Sequence, residues 1–187
     1  MSRLYILPVN SPEENVLLEL EQKLQPIIGW EIRRAASMSI PPSAFNAVRN
    51  QYEALHIMRE IVDVIQIDAT RILAITEEDL SIPMLTFVFG QAQLGGRIAL
   101  MSLARLRPEF YGMAAKKELC LHRAFKEALH ELGHTFGLKH CPKQSCIMAI
   151  ANTIQQVDEK GIDFCGGCST LFRDARQQIE SLEKESV

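Results

Sequence analysis

Eleven residues constrain this chain more than any other part of it: His130-Glu131-Leu132-Gly133-His134-Thr135-Phe136-Gly137-Leu138-Lys139-His140. Residues four apart share one face of a helix, so His130 and His134 can present two imidazoles to one metal ion with Glu131 close by. Continued helix would carry His140 about 15 Å along the axis and well round the cylinder, out of reach of the other two. The chain must therefore turn back. Gly137 is where it can, because glycine takes the left-handed conformation that ends helices at no steric cost; it reads as the C-cap, with Leu138-Lys139 as the return that delivers His140. An HExxH by itself is weak evidence, since two histidines on a helix are ordinary. The third histidine at this offset makes chance a poor account: of 187 residues only 5 are histidine, and three fall here. Three histidines leave a zinc ion one open position for water, with Glu131 as the general base.

The rest of the chain reads as one globular domain, 1–187, with a sheet and active-helix part over 1–137 and a smaller part over 138–187. Hydrophobic residues at 47% and charged ones at 23% argue against disorder. The apolar runs fall short of the ~20 residues that a bilayer crossing needs, so no membrane partner is expected. A net charge of −3 offers no field to nucleic acid. The apolar stretch in Met1 to Val9 is too short for a signal peptide and reads as a first strand. The expectation is a cytoplasmic monomer whose 5 cysteines are reduced.

Periodicity places the elements. Leu4 to Val9 reads as a strand, and Pro12 opens a helix to about Leu24 with Val16, Leu17, Leu20 and Leu24 on one stripe. Trp30 to Ala35 is a second strand. Ser43 is read as the N-cap of a long helix to about Gln66, carried by Ala47, Leu55, Met58, Val62 and Ile65. Arg71 to Thr76, Phe87 to Phe89 and Ile98 to Leu103 are strands, the last two joined across Gln91 to Arg97 with Gly95-Gly96 in the turn. A second long helix spans about Ala115 to Phe136, and a polar one about Thr170 to Lys184. This order predicts a mixed α/β fold: a twisted sheet of about five strands with one antiparallel strand, packed on two long helices.

A second constellation follows the histidines. Cys141 and Cys146, then Cys165 and Cys168, make CxxxxC and CxxC pairs that can close a tetrahedral site of four thiolates. Two disulfides are the alternative, and a chain without a secretion signal disfavours them. Cys120 lies inside the active helix as a buried, inert thiol. His122 reads as an exposed or locally paired side chain, and Glu77, Glu78 and Asp79 as a solvated strand end. Met148 is by composition one of seven methionines.

Taken together, His130, Glu131, His134, Gly137, His140, Cys141, Cys146, Met148, Cys165 and Cys168 resemble the signature of the archaemetzincins, a family of metzincin-clan zinc metallopeptidases. Leu85 to Gly90 and Ser102 to Pro108 also look familial, which extends the resemblance along the chain. It implies two zinc ions: a catalytic one on His130, His134 and His140, and a structural one on Cys141, Cys146, Cys165 and Cys168. It makes Met148 the Met-turn residue beneath the histidines, and Phe87 to Gln93 an antiparallel edge strand, so that Phe87, Val88, Phe89, Gly90 and Gln91 would line the substrate cleft. The activity implied is hydrolysis of peptide bonds by a zinc-bound water that Glu131 activates, in an endopeptidase or an aminopeptidase. Some metzincins carry a tyrosine two residues after this methionine to steady the developing charge; here Ile150 stands there. The competing reading is a zinc-stabilised, peptide-binding scaffold with little or no catalysis.

Overall fold

The structure is a computed structural model and describes residues 2–64 and 68–185. β1 (Arg3–Pro8) crosses through α1 (Glu14–Ile28) to β2 (Glu31–Arg34), and a small hairpin of β3 (Phe45–Asn46) and β4 (Gln51–Glu53) precedes α2 (Ala54–Val64). β5 (Arg71–Thr76) is followed by a second hairpin, β6 (Leu80–Ile82) and β7 (Leu85–Val88), and then by β8 (Gly90–Ala92) and β9 (Ile98–Ser102). Three helices complete the chain: α3 (Lys117–Thr135), α4 (Ile154–Glu159) and α5 (Gly166–Glu185).

The main sheet has the order β2-β1-β5-β9-β8, with β8 the one antiparallel strand, at the edge. Every residue of β5 and β9 is buried, as parallel strands covered on both faces must be. On one face α1, α3 and α5 bring Leu20, Leu24, Ala128, Leu132 and Phe172 against Leu4, Ile6, Leu73 and Met101. On the other face α2 lays Ile57, Met58 and Ile61 over Leu7, Ile72 and Leu100. Rings run from Trp30 to Phe136 (5.2 Å), on to Phe172 (4.5 Å) and Phe164 (4.9 Å), tying α5 to the turn that ends α3. Among the described residues no helix is long and apolar enough to cross a membrane.

The chain departs from the sequence reading most clearly at three places ahead of α3. The helix expected from Ser43 begins only at Ala54, after a 3-10 turn (Pro42–Ala44) and the β3–β4 hairpin. Asn46 Oδ1 accepts from the Arg49 backbone N–H at 3.2 Å and Asn50 sits at φ 52°, so asparagine turn chemistry and pairing of β4 with β6 override helical spacing. Accordingly Ala47 is exposed, and the buried stripe is Ala54, Ile57, Met58 and Ile61; Ile65 and Gln66 lie outside the described residues. The expected edge strand is also split: Phe87 and Val88 belong to β7, which pairs with β6 in a second sheet of order β3-β4-β6-β7, while Gly90 and Gln91 belong to β8. Period-2 alternation runs on across the break at Phe89, so one-dimensional pattern could not show which sheet each half joins. Finally, Glu77, Glu78 and Asp79 are paired rather than merely solvated: Arg107 forks onto Glu77 (2.9 and 2.8 Å), Arg105 onto Asp79 (2.6 and 2.8 Å), and Glu78 accepts from Asn10.

Candidate active site

α3 ends as the glycine demands. Phe136 is the cap residue and Gly137 the residue beyond it, at φ 87°. The Gly137 N–H donates to His134 O (2.9 Å) and the Leu138 N–H to Gly133 O (3.1 Å), the paired bonds of a Schellman motif. The chain reverses there and brings His140 back to the helix. The three rings lie with centroids 4.7, 5.3 and 4.9 Å apart, and one nitrogen from each falls within 4.8 Å of the others.

Each helical histidine is oriented by a carbonyl. His130 Nδ1 lies 2.9 Å from Ile147 O and His134 Nδ1 2.7 Å from Leu138 O, so that Nδ1–H donates and Nε2 is left free to hold a metal. The two Nε2 atoms are 3.1 Å apart. A tetrahedral zinc with bonds of about 2.0–2.1 Å sets its nitrogens roughly 3.4 Å apart, so this donor set fits the ion. Burial pulls the pKa of all three imidazoles down, that of His130 furthest, and the neutral ring is the form that binds metal.

Glu131 is buried beside them. Burial pushes its carboxyl well above the usual range, Glu127 one turn earlier adds to the effect, and the Lys160 ammonium opposes it. Above Glu131 runs β8, so close that a Cβ on Gly90 would sit 2.6 Å from Glu131 Oε1. Below, Met148 is fully buried, and a Cβ on Gly133 would meet its Sδ at 2.5 Å. Gly133→Ala is expected to cost about 1–3 kcal/mol through that overpacking and to weaken metal binding between the flanking histidines. Urea melts and zinc titration of the variant measure both, and unchanged values would show that Met148 moves aside freely.

The cysteines gather as a second group. Cys141, Cys146, Cys165 and Cys168 place all four Sγ atoms within 4.8 Å of one another, and none is in a disulfide. Cys141 and Cys165 Sγ are 3.8 Å apart, far beyond an S–S bond of about 2.05 Å and close to the roughly 3.8 Å between thiolates on one tetrahedral zinc. Amides support the negative charge: the Cys165 N–H donates to Cys146 Sγ at 3.3 Å, and the Cys168 N–H leads in drawing the Cys165 thiol down to about 7. Burial pushes Cys146 and Cys168 the other way. Cys120 is buried away from this group, and His122 is exposed and takes no part in either.

The histidines open into a cleft of about 760 Å³ between β7–β8 above and the segment 150–160 below. Phe87, Val88, Phe89, Gly90 and Gln91 all line it. Two lining residues that sequence reading passed over are Glu127 and Lys160. Glu127 stands four before Glu131 and could have been found by helical spacing; Lys160 comes from the end of α4, which no periodicity announced.

A mixed sheet with an antiparallel edge strand, over a helix whose end gathers three histidines that could hold a metal beside a buried glutamate, is the setting of a zinc metallopeptidase. The sequence model of Peptidase family M54 matches residues 13–174, and the chain belongs to that family. It is 39% identical over 173 residues to the archaemetzincin of Methanocaldococcus jannaschii, covering 92% of this chain and 93% of that protein. The crystal structure of archaemetzincin from Methanopyrus kandleri is similar at TM-score 0.82 and 33% identity, covering 94% of this chain and 96% of that one. That of the Archaeoglobus fulgidus protein, complexed with malonate, is similar at TM-score 0.79 and 33% identity, covering 90% and 99%.

Proposed function

We propose that the chain hydrolyses peptide bonds at zinc held by His130, His134 and His140, with Glu131 as general base, and that Cys141, Cys146, Cys165 and Cys168 hold a second, structural zinc. The observation that carries this reading is the convergence of three neutral imidazoles, two of them oriented by backbone carbonyls, beside a buried carboxylate. Zinc held there would supply a Lewis acid for the attacking water and the scissile carbonyl. Glu131 takes the proton of the attacking water and passes it to the leaving amine.

β8 offers the substrate a register. The Phe89 carbonyl accepts from Ser102 and the Gln93 N–H donates to Ile98, so residues 89, 91 and 93 turn toward β9. The N–H and C=O of Gly90 and Ala92 then face the open edge, where an extended peptide can add as a further strand. Met148 under Gly133 serves as the floor that holds the two helical histidines level. Digestion of a peptide library with and without chelator tests the whole reading and reports endo- against aminopeptidase cleavage. Two zincs per chain are expected, one removed by chelator together with activity. One tightly held zinc and no hydrolysis would instead favour the peptide-binding scaffold.

Gly90→Ala is a sharper probe of the same site. A methyl group there would displace the Glu131 side chain from Cγ outward but no backbone atom, so the fold is expected to hold. Misplacing the base by about 1 Å should lower kcat/KM on the order of a hundredfold. Wild-type kinetics in a folded Gly90→Ala protein would show that Glu131 does not need its observed position.

A further inference from the structure

The cleft lining carries an ion pair that takes no step in this chemistry beyond its charge effect on Glu131. Lys160 Nζ donates to Glu127 Oε1 at 2.6 Å; their side chains are 2% and 4% exposed, and both residues line the cleft. The pair is braced from behind. Arg123 forks onto Asp158 at 2.7 and 2.6 Å, and Lys126 Nζ donates to the carbonyls of Val157 and Asp158, fastening the end of α4 to α3 just before Lys160. Buried ion pairs are weak sources of net stability, so one placed on the wall of a cleft calls for another account.

An ammonium has three N–H groups, and among the described residues the side-chain partner of Lys160 is Glu127 alone. The apolar side chains of Phe87, Ile150 and Ala151 line the same cleft, together with the polar Asn152. A side chain entering here meets one donor and one acceptor side by side. Resting on the peptidase reading, we infer that Lys160 and Glu127 form the floor of the pocket for the substrate side chain next to the cleaved bond, and that they select a carboxamide, glutamine or asparagine.

The choice follows from charge and hydrogen-bond matching. A carboxamide oxygen accepts from Lys160 while its NH₂ donates to Glu127, and no charge is added. A carboxylate brings a third negative group beside Glu127 and Glu131. A lysine or arginine side chain faces the Lys160 ammonium. An aliphatic side chain displaces water and leaves N–H groups of Lys160 without partners. Sites built to hydrogen-bond a polar group reject analogues that lack it more strongly than apolar pockets reject size changes.

The test uses zinc-loaded protein and peptide series differing only at one residue flanking the cleaved bond: Gln, Glu, Leu or Lys. The Gln peptide should exceed the Leu and Glu peptides in kcat/KM by about tenfold or more. The same ranking should appear as binding to the Glu131→Gln protein, read by fluorescence anisotropy with no turnover. A Glu127→Leu/Lys160→Met double variant removes both charges together, leaving neither stranded, and should invert the ranking in favour of Leu; Tm and zinc content establish that it is folded and loaded. Cleavage with no advantage for Gln overturns the pocket assignment but not the peptidase reading, as does an unchanged ranking in the folded double variant. Peptides that bind in the expected order and are never cleaved overturn the peptidase reading and leave the pocket standing. No binding of any peptide overturns both.

Discussion

Replacing Glu131 by Gln should lower kcat/KM by about 10²–10⁴-fold, the range a positioned general base supplies, while zinc stays bound in full. The two halves of that result rest on separate parts of the site. On the proposed reading zinc is retained by His130, His134 and His140, whose rings are set by Ile147 O, by Leu138 O and by the turn at Gly137 rather than by hydrogen bonds to Glu131. Catalysis depends on a carboxylate that burial makes more basic than usual, the direction a base near neutral pH requires. Glutamine keeps the volume and abolishes the basicity. It also removes a charge that is costly to bury, so the variant should melt at the same temperature as the wild type or above it. Activity assay, zinc analysis and a thermal melt on one preparation suffice. Undiminished hydrolysis would sink Glu131 as the base; loss of zinc along with activity would mean that the carboxylate belongs to the metal site.

The second large effect is expected from Cys165→Ser with Cys168→Ser. Structural zinc sites contribute on the order of 10 kcal/mol of folding free energy in small domains, so Tm should fall by about 10 °C or more. The catalytic zinc should weaken too, and the loop 141–148 is the reason. It follows His140 directly and supplies Cys141 and Cys146; the Cys141 N–H donates to Met148 O at 2.8 Å. The residue after Cys146 is Ile147, whose carbonyl orients His130, and the next is Met148, packed into the space left by Gly133. On the proposed reading, an ion held by the four thiolates would therefore fix the segment that orients His130 and fills the space at Gly133. A double variant that keeps full catalytic-zinc affinity, measured by competition with a chelator, would break this coupling; one with an unchanged Tm would remove the structural role of the cysteine site.

Much of this site was legible in the sequence because its logic is local. Four-residue spacing, a glycine at the turn and adjacent cysteines fix directions over one or two turns of chain, and the structure brings together both groups of side chains that the spacing picked out. The β3–β4 hairpin was illegible for the opposite reason: Ala47 to Leu55 carries acceptable helical spacing, and only pairing of β4 with β6, a partner far along the chain, decides against it. The same holds for Phe87 to Gln91, one uninterrupted pattern divided between two sheets.

By itself the sequence determined the chemistry available to this protein: three imidazoles and a carboxylate on one helix end, four thiolates beyond it, and a glycine that obliges the chain to return. Those are short-range consequences of helix geometry and of left-handed backbone at Gly137. What only the tertiary structure decided is what the three histidines and Glu131 face. Gly90 pressed against Glu131, Met148 seated in the gap at Gly133, and Lys160 brought from the end of α4 to Glu127 each join segments far apart in the chain. Such contacts are set by how α3, β8 and α4 pack, and packing is a property of the whole core rather than of any run of residues.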